Sequence, residues 1–223
     1  MKRNLLKNIF LSLCLVVFPM GMAAKQEATV TSPSGNLTLT AGVDKAGRPY
    51  YSLSRGKEAI LLPSYLGVKL KDGSLDSDFG VMGFVRTTKD ETWHQPWGEE
   101  NDVRNHYNEL TMKLAQRKGL KRQLTIVFRV FDDGMGFRYV FPEQKNLKHF
   151  VIMDEETEFC FKGDPEAWTL PYDADYYEGL WTKAPLSKKQ KVCTPITIEA
   201  KPDLYMMLHE ANLTDYASLN VKP

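Results

Sequence analysis

The sequence predicts an all-β protein built as an antiparallel sandwich. Three observations carry that prediction. Short stretches of alternating apolar and polar residues recur along the chain, each closed by Gly, Asp or Pro. Two of them flank Asp132-Asp133-Gly134, the strongest short-range signal for a hairpin. Nowhere do strand-like and helix-like patterns alternate, as a parallel α/β sheet would require.

The first residues stand apart from this pattern. Lys2, Arg3 and Lys7 precede an apolar run from Ile9 to Phe18, and Gly21-Met22-Ala23-Ala24 offers small residues for cleavage. This is the pattern of an export leader over residues 1–24. The run is shorter than the roughly 20 residues a spanning helix needs. The expected product is exported, periplasmic and without a membrane span. Cleavage takes 24 of 223 residues and leaves 199, enough for one sizeable core. It also takes three of 29 basic residues, leaving 26 against 28 acidic ones. So even a balance excludes nucleic acid and anionic membrane surfaces as partners. Cys160 and Cys193 remain; an oxidising compartment would let them pair, but no spacing motif joins them, and two separate thiols are expected.

Within residues 25–223 the elements follow in order. Leu37, Leu39, Ala41 and Val43 alternate along one strand. Lys45 to Pro49 turns the chain, and Tyr50 to Ser54 runs back. Arg55-Gly56-Lys57 turns again into Ala59 to Leu62, and Tyr65 to Leu70 extends before Lys71-Asp72-Gly73. Leu110, Met112 and Leu114 alternate next. In the hairpin, Leu124, Ile126, Phe128 and Val130 share a face, and Phe137, Tyr139 and Phe141 return. Val127 and Phe131 make the other face apolar too, which predicts a central pair covered on both sides. Arg129 and Arg138 inside it are expected to pair with carboxylates at the rim. Further strands are expected at Phe150 to Met153, Thr157 to Phe161, Thr194 to Glu199 and Tyr205 to His209, with a mobile basic loop at Lys183 to Lys191.

Chemistry is sparse. No phosphate loop, nucleophile elbow, His-Glu-x-x-His or Cys-x-x-Cys occurs. Asp173, Asp175 and Glu178 offer oxygens to a hard cation such as Ca²⁺, which takes roughly 6–8 of them. Three carboxylates do not fill such a shell, so a solvated acidic loop fits the same residues. His209-Glu210 is a second candidate, and a rim histidine bonded to backbone fits it equally. The densest stretch runs from Glu91 to Leu110, with Trp93, Trp97, His94, His106 and four glutamates. Pro96 and Gly98 break any regular element there. Two readings fit: a loop folded over a sheet end with its tryptophans covering the core, or a binding surface.

Four segments together resemble the N-terminal domain of glycosyl hydrolase family 97. They are Ser32-Pro33-Ser34-Gly35-Asn36-Leu37, Trp93 through Leu110, Phe128 through Phe141, and His209 through Tyr216, in the family's order. The resemblance implies a β-super-sandwich of the galactose-mutarotase type, followed in the family by a catalytic (β/α)₈ barrel and a small β domain. It implies an exported, calcium-dependent α-glycosidase, α-glucosidase before α-galactosidase, acting on oligosaccharides with α-linked glucose or galactose. The catalytic carboxylates would lie on the barrel, so this chain alone is expected to be inactive, and it is expected to stop while the first domain is still finishing, as a truncated or fragmentary member. The active-site Ca²⁺ would take one glutamate from the N-terminal domain, and the residue that matches is Glu178, which follows Trp168 and Pro171. Glu210, His209, Trp93, Trp97 and Glu99 become candidates for the active-site rim or the barrel interface.

Two function classes therefore stand. One is the N-terminal domain of an exported α-glycosidase. The other is a free-standing carbohydrate-binding or scaffold sandwich, with Trp93 and Trp97 stacking on sugar.

Overall fold

The structure, a computed structural model, describes residues 26–173, 176 and 178–222; the predicted leader lies outside them. Those residues hold strands and a single 3-10 turn at Leu186–Lys188, and no α-helix. The all-β reading is correct.

The first sheet is a meander of β1 (Glu27–Thr31), β2 (Leu37–Val43), β3 (Pro49–Arg55) and β4 (Glu58–Tyr65), all antiparallel. Leu37, Leu39, Ala41 and Val43 are buried, as their alternation predicts. The β2–β3 turn needs Gly47. Its φ is +78°, and a Cβ there would come within 2.5 Å of the Phe79 backbone. That approach ties the turn to the next layer, with Phe79 N–H donating to the Gly47 carbonyl at 3.0 Å.

A small sheet follows from β5 (Val68–Leu70) and β6 (Gly73–Leu75). The chain then enters two long strands, β7 (Phe79–His94) and β8 (Asp102–Gln116), and the shorter β9 (Gln123–Val130) and β10 (Met135–Val140). These four form a sheet in the order β10-β9-β8-β7. The predicted hairpin is β9–β10, and Phe128 pairs with Phe137 across it. It is only half central. β9 lies between two neighbours, but β10 is the edge of its sheet among the described residues. β11 (Ile152–Glu155) returns to pair with β5.

β1 and β2 lie against β7, β8 and β9, so the first sheet and the long-stranded sheet face each other. Leu39, Ala41, Tyr51, Leu110, Met112, Leu124, Ile126 and Phe128 share the core between them, fully shielded from water. This is the sandwich, and the hydrophobic burial on these two inner faces is its main stabilising term.

The expected strand at Thr157 to Phe161 is absent. The segment instead runs beside β4 as irregular extended chain, with one bridge between Leu61 and Phe161. It leads into the last sheet: β12 (Glu166–Pro171), β13 (Thr182–Pro185), β14 (Val192–Lys201) and β15 (Leu204–Leu208), in the order β13-β12-β14-β15. β16 (Asn220–Val221) pairs with the start of β14. A small second core of Ala167, Val192, Ile196 and Ile198 sits under this sheet. Cys160 and Cys193 are both free thiols, as expected.

Met112 lies in the shared core with no exposure. Met112→Ala should cost about 2–5 kcal/mol in urea unfolding, because the sandwich cannot close over the cavity. A loss under about 1 kcal/mol would mean the inner faces are less tightly packed than the geometry shows.

Candidate functional site

The Trp-rich stretch is not a loop over the core. β7 and β8 pair continuously from Phe79 and Gln116 out to His94 and Asp102. β9 pairs with β8 only from Asn108 to Ala115. Beyond that point the hairpin continues alone as a two-stranded arm, projecting about 20 Å at the usual rise per residue. Its tip turns through Pro96 and Gly98, with Gln95 N–H donating to the Asn101 carbonyl at 2.8 Å.

Ion pairs and hydrogen bonds hold the arm. Arg104 grips Asp90 with Nε and one terminal nitrogen, each at 2.8 Å. Those hydrogen bonds hold the Asp90 carboxyl below its ordinary pKa. Lys89 meets Glu91 at 2.7 Å, Asn105 donates to Glu91 at 2.9 Å, and His94 meets Asp102 at 3.1 Å. At the root, Arg86 donates twice to the Thr29 carbonyl and Asn108 donates to the Thr31 carbonyl, which closes off the free edge of β1. Trp93 is 49% exposed and Trp97 81% exposed. The expectation that they cover the core is overturned, because a ribbon lying past the end of the sandwich has no core beneath it. Glu99, also exposed, makes no hydrogen bond or ion pair among the described residues.

Glu178 lies between β12 and β13, at the edge of the last sheet. It is exposed and makes no hydrogen bond or ion pair among the described residues. Leu180 beside it is 86% exposed, and Tyr176 and Trp181 are exposed too. Asp175 lies outside the described residues, and Asp173 is exposed. Among the described residues no three His, Cys, Asp or Glu side chains converge as a metal site.

The stretch from Lys183 to Lys191, expected as a mobile loop, is tied down. Lys183 Nζ meets Glu199 at 2.6 Å and Glu166 at 2.9 Å, and sits 4.5 Å from the centre of the Trp168 ring. Lys189 Nζ donates to the Thr182 carbonyl at 2.8 Å and to its hydroxyl at 3.0 Å. Tyr172 N–H donates to the Lys191 carbonyl at 3.0 Å, while Lys191 Nζ lies 3.7 Å from the Tyr172 ring centre. β12 leaves no clean alternation, since its buried residues are Ala167, Thr169 and Leu170, so no periodic signal marks the seat these lysines fill.

Glu210 is half-buried and already in use. Its carboxylate accepts from Leu219 N–H at 3.0 Å and braces the excursion that returns to β16. His209 is exposed just past β15. Arg129 pairs with Glu109 at 2.9 Å, as expected, and also covers the Tyr107 ring at 4.5 Å. Arg138 is exposed and makes no ion pair among the described residues. No hydrogen bond, ion pair or ring contact among the described residues links the arm tip, Glu178 and Glu210.

The sandwich carries exposed polar and aromatic groups at its margins. Comparison with known proteins identifies its family. The family model "Glycosyl-hydrolase 97 N-terminal" matches residues 30–223, and the chain belongs to that family. It is 28% identical over 229 residues to a "Retaining alpha-galactosidase" of Bacteroides thetaiotaomicron, covering 96% of this chain and 33% of that protein. It is 26% identical to a "Probable retaining alpha-galactosidase" of Streptomyces bingchenggensis, covering 81% of this chain and 28% of that one. Among solved structures it resembles a glycoside hydrolase family 97 enzyme of Pseudoalteromonas sp. strain K8 in complex with panose, with a TM-score of 0.83, 31% identity, and 88% of this chain covered against 30% of that one. A β-arabinopyranosidase matches with a TM-score of 0.74 and 25% identity, over 81% of this chain and 31% of that one. The chain thus spans about a third of the length of these relatives.

The arm geometry predicts that Trp97→Ser leaves the melting temperature of this chain unchanged, since exposed positions usually shift stability by less than about 0.5 kcal/mol. A tryptophan covering the core would instead cost about 3–5 kcal/mol, and a thermal melt separates the two.

Proposed function

We propose that this chain is the N-terminal domain of an exported, calcium-dependent α-glycosidase. It supports a (β/α)₈ catalytic domain and lends that domain's active site one carboxylate, Glu178. The observation that carries the reading is that Glu178 stands exposed and unpaired at the edge of a sheet in a chain of this family. A carboxylate without an internal partner is available to a ligand from outside the chain.

Calcium takes roughly 6–8 oxygens, and the described residues bring no three acidic, His or Cys side chains together. Glu178 therefore fits as one ligand of a shared ion, with the others supplied by the neighbouring domain. Bound there, calcium would act as a Lewis acid and orient substrate oxygens. This chain's part is to hold the Glu178 carboxylate at the boundary, while Trp93, Trp97, Leu180 and Trp181 provide apolar anchors of the kind that interfaces use. The leader pattern in residues 1–24 supports export to the periplasm. The substrate is an oligosaccharide ending in α-linked galactose or glucose. The curated relatives named as α-galactosidases favour the first, and the panose and acarbose complexes of the Pseudoalteromonas enzyme favour the second.

Glycoside hydrolysis needs two carboxylates flanking one bond, roughly 5–9.5 Å apart. The groove beside β1, about 410 Å³, is lined by Thr29, Val30, Thr31, Arg86, Thr87, Thr88 and Asn108 and holds none. The groove between β4 and the last sheet holds Glu58, which Lys201 engages at 2.6 Å. The 223-residue chain should therefore hydrolyse neither aryl α-glucoside nor aryl α-galactoside, with or without calcium. Turnover that persists after control for host enzymes would sink the reading. In the longer enzyme, Glu178→Gln should weaken calcium binding about tenfold or more by calorimetry and slow turnover, with little effect on folding. Equal affinity in the two would move the role to another residue, Glu210 first. The exposure of Trp97 is what favours the free-standing carbohydrate-binding alternative, and retention of this chain on an α-glucan column, lost in Trp97→Ser, would support it.

A further inference from the structure

We propose that Lys183 and Lys189 are positioning residues for Glu178: they fix the register and the start of β13, and so set where the carboxylate stands. The inference rests on the reading of Glu178 as a calcium ligand.

The argument begins with two like charges. Glu166 on β12 and Glu199 on β14 are direct cross-strand partners. Carboxylates placed opposite each other repel, and such a pair is destabilising unless a cation lies between them. Lys183 is that cation, within 2.6 Å of Glu199 and 2.9 Å of Glu166. Hydrogen bonding to Glu199 and then Glu166 raises its pKa, so it stays charged throughout the physiological range. Its Nζ also lies over the ring of Trp168, its partner in register on β12, 4.5 Å from the ring centre. A slip of β13 by one residue would bring Thr182 or Ala184 to this position, turn Lys183 to the opposite face, and leave the two carboxylates unscreened. The charge pattern therefore selects one register.

Lys183 follows Glu178 by five residues, and the points between are fixed as well. Lys189 holds Thr182 through both its carbonyl and its hydroxyl. Gly179 lies so close to Leu170 that a Cβ would come within 2.9 Å of Leu170 Cδ1. Glu178 is thus followed at once by a packed glycine and, four residues on, by a strand whose register is set by charge, so the chain is fixed on its C-terminal side. Exposed ion pairs of this kind add little to stability, so their effect here is geometric.

Positioning and simple electrostatics predict opposite signs. Removing a nearby positive charge should tighten calcium binding, whereas loosening Glu178 should weaken it. The test uses Lys183→Met, Lys183→Arg, Lys189→Met and Glu178→Gln. In the longer enzyme, Lys183→Met and Lys189→Met should each weaken calcium affinity about tenfold by calorimetry, with the enzyme still folded in a thermal melt and Lys183→Arg restoring the affinity. In the 223-residue chain without calcium, amide exchange should accelerate from Glu178 to Thr182 and nowhere else. If Glu178→Gln weakens binding while both Lys→Met variants match or exceed the wild type, the positioning role is wrong and the ligand assignment stands. If Glu178→Gln has no effect, both fall. Unchanged exchange at Glu178 to Thr182, or acceleration throughout the sheet, also overturns the positioning role.

Discussion

The hydroxyl of Tyr51 donates to the carbonyl of Glu158 at 2.9 Å, and much of the molecule depends on that contact. Tyr51 is fully buried, with Phe137 5.4 Å and Phe128 6.0 Å from its ring, so the same residue packs the first sheet onto the long-stranded one. Burial pushes its ionisation far above the ordinary phenol value, and it serves only as a neutral donor. Glu158 then directs the chain. Its carboxylate accepts from Tyr65 N–H at 2.9 Å, Cys160 N–H donates to the Ser64 hydroxyl at 2.9 Å, and Leu62 N–H donates to the Cys160 carbonyl at 2.8 Å. These bonds lay an irregular segment along β4 without making it a strand. They also deliver the chain to β12, so the sandwich core determines where the last sheet begins.

That last sheet has the smaller core. Its buried cluster has four residues, against the large cluster shared by the other three sheets. Its outer face carries Tyr205 and Met207, the latter 72% exposed, along with the partly covered Trp168. A sheet with apolar groups on both faces is usually covered on both. The regions of a protein that open most readily are those with few buried contacts, and binding segments are commonly drawn from them. A sheet held to the sandwich by the Phe161 bridge and by Lys201 meeting Glu58, with Glu178 at its margin, fits that description.

Legibility followed burial. β2 and the β9–β10 hairpin were readable because each has one face in the core, and alternation is the mark that a buried face leaves. β7 was not readable. From Thr87 to Thr92 it is Thr-Thr-Lys-Asp-Glu-Thr, a run that a strand inside a sandwich would not carry. Outside the sandwich both faces meet water, so the cross-strand pairs are ionic and the pattern reads as loop. Pro96 and Gly98 did mark a turn, but at the tip of a hairpin begun some fifteen residues earlier, and only the β7–β8 register reveals that. β1 was missed as well: five residues with two buried make a faint signal. Glu178 could be singled out from its acidic neighbours only through the family resemblance, since an exposed carboxylate has no internal partner to imply it.

Two tryptophans show what separates the legible residues from the rest. Trp168 lies in a strand, half-buried, with Lys183 over its ring and Tyr205 6.2 Å away. Its surroundings are supplied by the chain itself, from β13 on one side and β15 in the same sheet. Trp97 has the same side chain and almost none of those contacts. Folding gains little from placing so large an apolar surface at the end of an arm, and a solvent-exposed indole sacrifices the transfer free energy that burial would give. The ion pairs along the ribbon hold the arm out from the sandwich rather than fold it down. An element that folding alone does not favour, yet that a row of specific pairs keeps in place, fits the proposed role of this chain as a surface for a neighbouring domain. The same reasoning applies to Glu178, which stays free while Lys183, Lys189 and Lys191 beyond it are engaged.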